Sequence, residues 1–240
     1  MSLSIIIPVH NEIKQLKVTI KKLLTLKKKI NFEIIFIDDF SFDGSYEMIK
    51  KFQKRSNFIK VFKNPKKGLG SAVETGIKKS KKIYTCIFMC DLSDDTNDIV
   101  KYYNTIKKNK KLDAVLGTRF SKDSKVTNYP FLKLFLNRLA NNIIKLIFFS
   151  DYNDFTNAFK IYKRKTLLKL LPIVSENFNV FLELPLKIVT RNYFYKIIPI
   201  NWSGRKIGVS KFKIKEMSSM YIFTLFYCLF EKILLNKKRR

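Results

Sequence analysis

Side chains that commonly hold transition metals or form disulfides are scarce in this sequence. Among 240 residues there is one histidine, His10, and there are three cysteines, Cys86, Cys90 and Cys228. The cysteines lack the paired spacing of a zinc site, and a single histidine adds little to them. This composition argues against zinc and favours a reducing, cytosolic compartment.

Long hydrophobic runs are also missing. The first residues, MSLSIIIPVHNE, have no basic segment and only a short apolar run, so we expect no signal peptide and no secretion. Residues 220–230 are apolar and aromatic, and this run of eleven, or of sixteen if Glu231 and Lys232 are tolerated up to Leu235, is shorter than the ~20 residues needed to cross a bilayer. With its basic tail, and with the amphipathic stretch 130–149, it is typical of helices that lie at a membrane surface. Packing onto the protein's own core is the alternative.

Acidic residues are few. The chain has 19 acids against 48 basic residues, which gives a formal net charge of +29. Only eight of the basic residues are arginine, so a coding bias towards lysine explains part of the excess, and an anionic membrane surface explains the rest. The basic residues are dispersed and form no recognised nucleic-acid-reading motif, so we expect no nucleic acid partner. A non-catalytic basic module that binds membranes or nucleic acid is the alternative.

Apolar runs and amphipathic segments alternate along the first half of the chain. The predicted elements are strands at residues 3–9, 32–39, 58–64 and 83–90, and helices at 14–29, 45–55 and 70–80. Such alternation with short connections predicts an α/β fold with a mostly parallel sheet and flanking helices. In these sheets, ligands bind beyond the carboxyl ends of the strands.

Three polar clusters follow predicted strands, and parallel strands would bring them to one edge. They are His10 to Glu12, Asp38 with Asp39, and Asp91 to Asp95. Asp91 directly follows an apolar strand, where a divalent cation that bridges to nucleotide phosphates would compensate its charge. Asp38 and Asp39 suit hydrogen bonds to a ribose or a base, with an Asx turn as the alternative.

Three further acids have a simpler interpretation. Asp94, Asp95 and Asp98 precede or begin a predicted helix. Carboxylates there cap the first turn and complement the helix dipole, so we interpret them as helix caps.

Ordered motifs cover most of the chain. They are SIIIPVHNE, EIIFIDDFSFDGS, NPKKGLGSAVETGI and FMCDLSDD, followed by GTRF, NDFTNAFKIY, LELPLKIV and WSGRKIGVSKFKIKEM. In this order and spacing the sequence resembles the family 2 glycosyltransferases, and among them the dolichol-phosphate mannose synthase type. The resemblance implies a GT-A glycosyltransferase domain over residues 1–216, followed by a membrane-interface helix and basic tail at 217–240.

The resemblance also implies donor-site residues. Pro8, Glu12 and Asp39 match positions that hold the base and ribose of the nucleotide, with Asp38 beside them. Asp91 matches the second acid of the family's metal-binding Asp-X-Asp motif.

The metal motif departs from the family at its first acid, where this sequence has Met89. Ser93 occupies a further position that can ligate metal. The implied cofactor is Mg²⁺ or Mn²⁺, and both prefer oxygen to a thioether. We therefore expect metal binding that is weakened and depends on Asp91, Ser93 and phosphate oxygens, or that recruits Asp94. Alternatively, metal binding is lost and basic side chains carry the charge.

Basic residues of the same motifs imply phosphate contacts. Arg119 in GTRF matches a position that grips the acceptor phosphate, and Arg138 is a second candidate. A loop that includes Arg205, Ser210 and Lys211 matches one that closes over the donor diphosphate. A guanidinium grips phosphate bidentately, and an ammonium adds charge where the leaving group becomes negative. The expected catalytic residues are Asp91, Arg119, Arg205 and Lys211.

Few residues qualify as a general base, since His10 is the only histidine. A sugar hydroxyl usually needs a base, whereas a phosphate monoester is mostly a dianion near neutral pH. We therefore expect an inverting enzyme that transfers a hexose, mannose or glucose, from a GDP- or UDP-sugar to a polyprenyl phosphate, dolichyl or undecaprenyl, at the cytoplasmic face of a membrane. The alternative is a family 2 enzyme with a sugar or other lipid-linked acceptor that uses Asp154 as base. Asn153, Asp154 and Thr156 suit an acceptor site and a turn equally well.

Overall fold

Strands and helices alternate along the chain. The computed structural model describes residues 2–205 and 214–237, with the backbone alone for 214–217 and 236–237. The strands are Leu3–Val9 (β1), Phe32–Asp38 (β2), Ile59–Lys63 (β3), Tyr84–Ile87 (β4), Ala114–Thr118 (β5), Val126–Thr127 (β6), Lys160–Lys163 (β7), Tyr195–Pro199 (β8) and Trp202–Ser203 (β9). The helices are Ile13–Leu24 (α1), Ser45–Lys54 (α2), Leu69–Lys79 (α3), Thr96–Lys108 (α4), Phe131–Phe148 (α5), Arg164–Lys169 (α6), Val180–Thr190 (α7) and Ile214–Lys237 (α8), and a 3-10 helix, Thr25–Lys28, follows α1.

Seven strands form one sheet in the order β3-β2-β1-β4-β7-β5-β8. β1 pairs in parallel with β2 and β4, β2 with β3, and β5 with β8. β7 runs antiparallel between β4 and β5. The predicted mostly parallel α/β sheet is confirmed. The carboxyl ends of β1, β2, β4, β5 and β8 therefore lie at one edge, together with the start of β7.

Helices cover both faces of this sheet. Side chains alternate along β1, so Ile5 and Ile7 belong to the core cluster with α1, α2 and α4, while Ile6 belongs to the cluster with α3, α5 and α7. All three isoleucines are fully buried. Layers packed on both faces hold the strand ends, and with them the loops at the carboxyl edge.

The fourth strand is shorter than predicted. β4 ends at Ile87, after which Phe88 N still donates to Ile6 O at 2.9 Å. Residues 88–90 are apolar because Phe88 and Cys90 are buried in the core, not because the strand continues. Asp91 thus lies in a loop beyond the strand and does not follow it directly.

The stretch 130–149 forms a single helix, α5, whose apolar residues lie mostly on the outer side. Asn141, Ile144 and Phe148 are its buried residues. The exposed apolar residues, here called the α5 apolar face, are Phe131, Leu132, Phe135, Leu136, Leu139, Ile143, Leu146 and Ile147. Contiguous exposed apolar surface marks an interaction site more often than a free surface.

The C-terminal helix α8 packs along α7. Thr224 and Cys228 are fully buried, and Arg191 Nη2 lies 2.6 Å from Glu231 Oε1. By length and composition Ser218–Leu235 could cross a membrane, with 11% of this stretch buried. The apolar helix is therefore longer than the predicted run of eleven residues, and the predicted division after residue 216 falls inside it.

Candidate active site

The three loops that follow β1, β2 and β4 contain strained backbone. Asn11 has φ 53°, Phe40 58° and Leu92 55°. Left-handed backbone is uncommon for residues other than glycine and clusters at functional sites. These residues lie within or directly beside the three predicted polar clusters, and the parallel register of the strands brings the clusters to one edge, as expected.

The first loop is joined to the second. His10 Nδ1 lies 2.6 Å from the Asp39 backbone oxygen, and Glu12 N donates to Ser45 Oγ at 3.1 Å. Pro8 is buried within β1, opposite Ile37. The nucleotide contact predicted for Pro8 stays a prediction.

The two adjacent aspartates of the second loop have different surroundings. Asp39 Oδ1 accepts hydrogen bonds from Asn64 Nδ2 at 2.8 Å and Gly68 N at 2.9 Å, which ties it to the start of α3. Gly68 has φ +131°, a conformation that side chains disfavour. Asp38 Oδ2 accepts only a long hydrogen bond from Ser41 N at 3.4 Å, and its Oδ1 is buried without a hydrogen-bond partner in the described part of the chain. The ribose contact predicted for Asp38 stays a prediction.

Arg205 lies between acids from two loops. Its Nη2 is 3.2 Å from Asp91 Oδ2 and 3.3 Å from Glu12 Oε1. Burial opposes its charged form, but the two carboxylates outweigh this and raise the pKa of Arg205. A positive side chain thus already compensates the charge of Asp91.

Backbone contacts hold the segment before Arg205 against the third loop. Ser203 N donates to Ser93 O at 2.9 Å. Trp202 forms an antiparallel bridge with Asp94. The motif WSGR is therefore fixed beside DLSDD, although the two are distant in sequence.

Gly204 allows a close approach at this point. Its N–H donates to Thr127 O at 3.0 Å, and a Cβ atom there would lie 2.1 Å from Asn128 O. A side chain at position 204 would displace this backbone from Asn128, so Gly204 determines the position from which the Arg205 side chain extends.

Arg119 is paired with Asp154 deep in the protein. Its Nε and Nη2 atoms donate to the two oxygens of Asp154 at 2.9 and 2.6 Å, and its backbone N–H donates at 2.8 Å. The Arg119 side chain is 6% exposed and that of Asp154 is 0% exposed. Burial opposes the charged form, yet Asp154 outweighs it and raises the pKa of Arg119. Both oxygens of Asp154 are engaged, so the predicted alternative of Asp154 as a general base is disfavoured.

The two arginines predicted to meet the acceptor phosphate contact one aromatic ring. The guanidinium carbons of Arg119 and Arg138 lie 5.2 and 5.3 Å from the centre of the Phe120 ring. Arg138 is on α5 and is exposed, unlike Arg119. Asn141, on the buried side of α5, donates to Thr156 Oγ1 at 3.1 Å, which fixes the helix to the loop of Asp154.

Two of the three acids expected to cap α4 lie at its start, and the third, Asp94, does not act as a cap. Asp95 caps α4 by accepting from Asn97 N at 2.9 Å, and Asp98 lies in its first turn, paired with Lys101 at 2.6 Å. The Asp94 side chain has no part in the cap: it is 5% exposed, and its Oδ1 is buried without a hydrogen-bond partner among the described residues. Burial, with the nearby Asp91 charge, raises the pKa of Asp94 to about 8.

Residues 4–171 match the family described as Glycosyl transferase family 2. The chain belongs to this family. This match covers β1 to β7, the acids at the strand ends and Arg119, and the resemblance expected from the motifs is confirmed.

Two relatives of this family 2 chain have informative names. The dolichol-phosphate mannosyltransferase of Pyrococcus furiosus is 27% identical over 90% of this chain and 61% of its own length. The polyprenol monophosphomannose synthase of Mycolicibacterium smegmatis is 22% identical over 86% of this chain and 79% of its own length. The chain therefore spans about three fifths of the archaeal relative.

Solved structures share the fold of this family 2 chain. Glucosyl-3-phosphoglycerate synthase from Mycobacterium tuberculosis, determined with Mn²⁺, uridine diphosphate and phosphoglyceric acid, superposes with a TM-score of 0.71 at 15% identity, over 95% of this chain and 78% of that one. A second mycobacterial protein gives 0.72 at 14% identity, over 95% and 74% of the two chains. The expected GT-A-like fold is confirmed.

The metal position of this family 2 chain has a poor set of ligands. Met89, Asp91 and Ser93 provide one carboxylate, one hydroxyl and one thioether, and Mg²⁺ and Mn²⁺ prefer oxygen. Ser93 N donates to Asp91 Oδ1 at 3.1 Å, and Arg205 occupies the other oxygen. Within the described residues, no three His, Cys, Asp or Glu side chains are grouped to hold an ion. The residues present do not fit a divalent metal.

Two predicted residues lie outside the described part of the chain, namely Ser210 and Lys211. Trp202, with its ring 4.8 Å from that of Tyr129 and 5.8 Å from the Arg119 guanidinium, was missed by sequence reasoning. The WSG motif was the available signal for it. Asp94 was interpreted first as a helix cap, because an acid before a helix is usually a cap, and otherwise as a recruited metal ligand.

Proposed function

We propose that this chain transfers a hexose from a nucleoside-diphosphate sugar to a polyprenyl phosphate at a membrane surface. The observation that carries the proposal is the joint position of Arg138 and the α5 apolar face. One helix presents apolar side chains outward, and its arginine contacts the same ring as Arg119 at the edge of the sheet. A lipid phosphate is the acceptor that suits both features, since its chain is apolar and its head is an anion.

The donor occupies the acidic side of the site in this proposal. Asp38 accepts hydrogen bonds from the ribose, with Glu12, Asp39 and Pro8 beside the nucleoside. Arg205 turns towards the diphosphate, and Lys211, from the same motif, adds a second charge. As the bond from the anomeric carbon to the diphosphate breaks, negative charge grows on the leaving oxygen, and these cations stabilise it.

The acceptor acts without a general base. Its phosphate is mostly a dianion at neutral pH, so one oxygen attacks the anomeric carbon in line with the departing diphosphate, and the configuration inverts. Arg138, exposed at the edge, is positioned to contact the phosphate first. Arg119, held by Asp154, shapes the acceptor side of the site. A contact between Arg119 and the phosphate requires that the guanidinium bind Asp154 and the phosphate at the same time.

The names of the relatives support this choice of substrate. The Pyrococcus and Mycolicibacterium proteins are named for mannosyl transfer to dolichol phosphate and polyprenol phosphate. Mannose and glucose, GDP and UDP, and dolichyl and undecaprenyl chains all agree with the site. A sugar acceptor is less compatible, because the acid nearest the acceptor side, Asp154, is bound to Arg119.

The same proposal includes peripheral binding at the cytoplasmic face of a membrane. The α5 apolar face would enter the interface, with α8 and the basic tail beside it as the membrane-facing part of residues 217–240. Vesicle sedimentation tests this with Leu139→Glu, which places a charge on that face. Val18→Glu, an exposed apolar position on α1 across the sheet, is the matched control. Loss of vesicle binding in both variants, or in neither, contradicts the proposed surface.

The transfer itself is tested with radiolabelled GDP- and UDP-hexoses and a short polyprenyl phosphate in detergent. The expected result is label in the organic extract that is reduced about 100-fold in Arg205→Gln, because a donor to a developing negative charge is lost, and kept in Arg55→Gln, an exposed arginine after α2. The label also identifies the donor. If purified protein binds nucleotide but labels only free sugars, the acceptor is wrong and the sugar-acceptor enzyme is correct. If it binds no nucleotide, the non-catalytic module is correct.

A further inference from the structure

We propose that the Arg205 guanidinium replaces the divalent cation at the donor site, so that this chain binds its nucleoside diphosphate without metal. The inference depends on the proposed function only for the class of ligand. It concerns how the diphosphate is held and makes no statement about the acceptor.

The first argument is the set of ligands. Of the three positions that could surround an ion, Asp91 provides the only anion, Ser93 a neutral hydroxyl and Met89 a thioether. A hard dication gains little from one carboxylate, and a sulfur ligand suits it poorly. Met89 is also packed among apolar side chains of the core, so its position serves packing.

The second argument is the position of the guanidinium. A single nitrogen of Arg205 lies 3.2 Å from Asp91 Oδ2 and 3.3 Å from Glu12 Oε1. A positive group therefore already bridges the first and third loops. The side chains are 14% to 17% exposed, so the attraction is stronger than in a surface ion pair, where solvent screens the charges.

The third argument is how Arg205 is brought there. Backbone bonds fix the preceding residues: Ser203 to Ser93, and Gly204 to Thr127. Arg205 therefore follows two residues after the end of β9, a strand whose Ser203 is anchored to the third loop. A contact of a freely moving surface arginine would lack these anchors.

Charge balance gives a consequence that can be measured. The carboxylates of Asp91 and Glu12 repel a diphosphate, so its binding depends on attraction to the basic residues of the chain, whose formal net charge is +29. Attraction between solvent-exposed charges is screened by salt. Nucleotide binding should therefore weaken steeply with ionic strength and respond little to chelators.

Calorimetric titration with GDP and with UDP, in EDTA and in Mn²⁺, tests the inference. For the whole chain we expect the Kd in EDTA to be within about threefold of the Kd in Mn²⁺, because one carboxylate adds little metal affinity. Arg205→Gln should weaken binding in EDTA about tenfold or more, as expected when a charged hydrogen-bond donor to phosphate is lost.

Restoring the missing acid provides the gain-of-function arm. Met89→Asp should create a metal site, so that Mn²⁺ tightens nucleotide binding about tenfold, and nucleotide-free Mn²⁺ titration followed by electron paramagnetic resonance should detect a protein-bound ion. Met89→Leu, which keeps the apolar volume and adds no ligand, should behave as the unmodified chain. Thermal unfolding of each variant establishes that it is folded.

The inference is overturned if EDTA abolishes nucleotide binding by the unmodified chain and Mn²⁺ restores it. Its failure is distinct from failure of the proposed function. Nucleotide binding in EDTA without transfer to polyprenyl phosphate would refute the acceptor and support this inference. Transfer that requires Mn²⁺ would support the proposed acceptor and overturn this inference. Absence of nucleotide binding in EDTA and in Mn²⁺ would overturn the inference and the proposed function together.

Discussion

Two arginines at the edge of the sheet meet their acids in different ways. Arg119 is buried and donates through two side-chain nitrogens and its backbone to Asp154, whereas Arg205 is partly exposed and divides one nitrogen between Asp91 and Glu12. The first pair has little freedom, since breaking it would leave a buried charge. The second can open, because water and phosphate can replace the carboxylates. We infer that Arg119 shapes the acceptor side and that Arg205 exchanges its acids for the donor.

The largest effect on stability is expected when the buried pair of Arg119 and Asp154 is broken. Asp154→Asn should lower the free energy of unfolding by about 3–5 kcal/mol, because it leaves Arg119 buried without its counterion. Urea unfolding followed by circular dichroism measures this, with Asp123→Asn, an exposed acid, as control. A loss below about 1 kcal/mol would mean that the pair is no more than a surface contact.

Removing Arg205 should reduce transfer strongly and stability little, whereas Asp154→Asn is expected to reduce stability strongly. Arg205→Gln should reduce transfer about 100-fold, the magnitude found when a donor to a developing negative charge is lost. It should lower the free energy of unfolding by less than Asp154→Asn does, because the carboxylates of Glu12 and Asp91 are 14% to 17% exposed and water can solvate them once the arginine is gone. Arg55→Gln, an exposed arginine after α2, should change neither quantity. Equal losses in transfer and stability would contradict an exchangeable role.

A substitution of Arg138 tests the acceptor side of this comparison. Arg138→Ala should raise KM for polyprenyl phosphate about tenfold, the loss of one charged phosphate contact, and leave nucleotide binding unchanged. Lys145→Ala, on the same helix, separates this specific contact from a general loss of positive charge. A similar KM increase in both variants would indicate attraction to the surface and no dedicated contact.

The last expected effect is a pH dependence of stability that arises beside the buried pair. Lys160 donates to the Asn157, Phe155 and Phe181 carbonyls, and burial lowers its pKa from 10.5 to about 7. Between these values the unfolded chain binds more protons than the folded chain, so stability should rise with pH from about 7 to about 10. Lys160→Met should flatten this slope, and Lys165→Met, which is exposed, should not. A slope that persists without Lys160 would refute the assignment.

Much of the fold was predictable because it depends on local patterns. Short β-branched runs and helical spacing are read over a few residues, and they gave the elements of the first half and a mostly parallel sheet. The predicted end of β4 was wrong because residues 88–90 are apolar and pack in the core without being part of the strand. The apolar stretch of α8 was predicted to end at residue 230, or at 235 if Glu231 and Lys232 are tolerated, and in the structure Glu231 is paired with Arg191.

By itself, the sequence determined the α/β class, the family, the acids at the strand ends and the departure at Met89. Tertiary structure decided how the charges pair. Arg119 meets an acid 35 residues away, and Arg205 meets acids 114 and 193 residues away. Both arginines looked like phosphate ligands in the sequence, since local pattern carries no information on which distant carboxylate will face a side chain. Burial, the register of the strands and the approach permitted by Gly204 decide that, and with it which arginine is fixed and which can move.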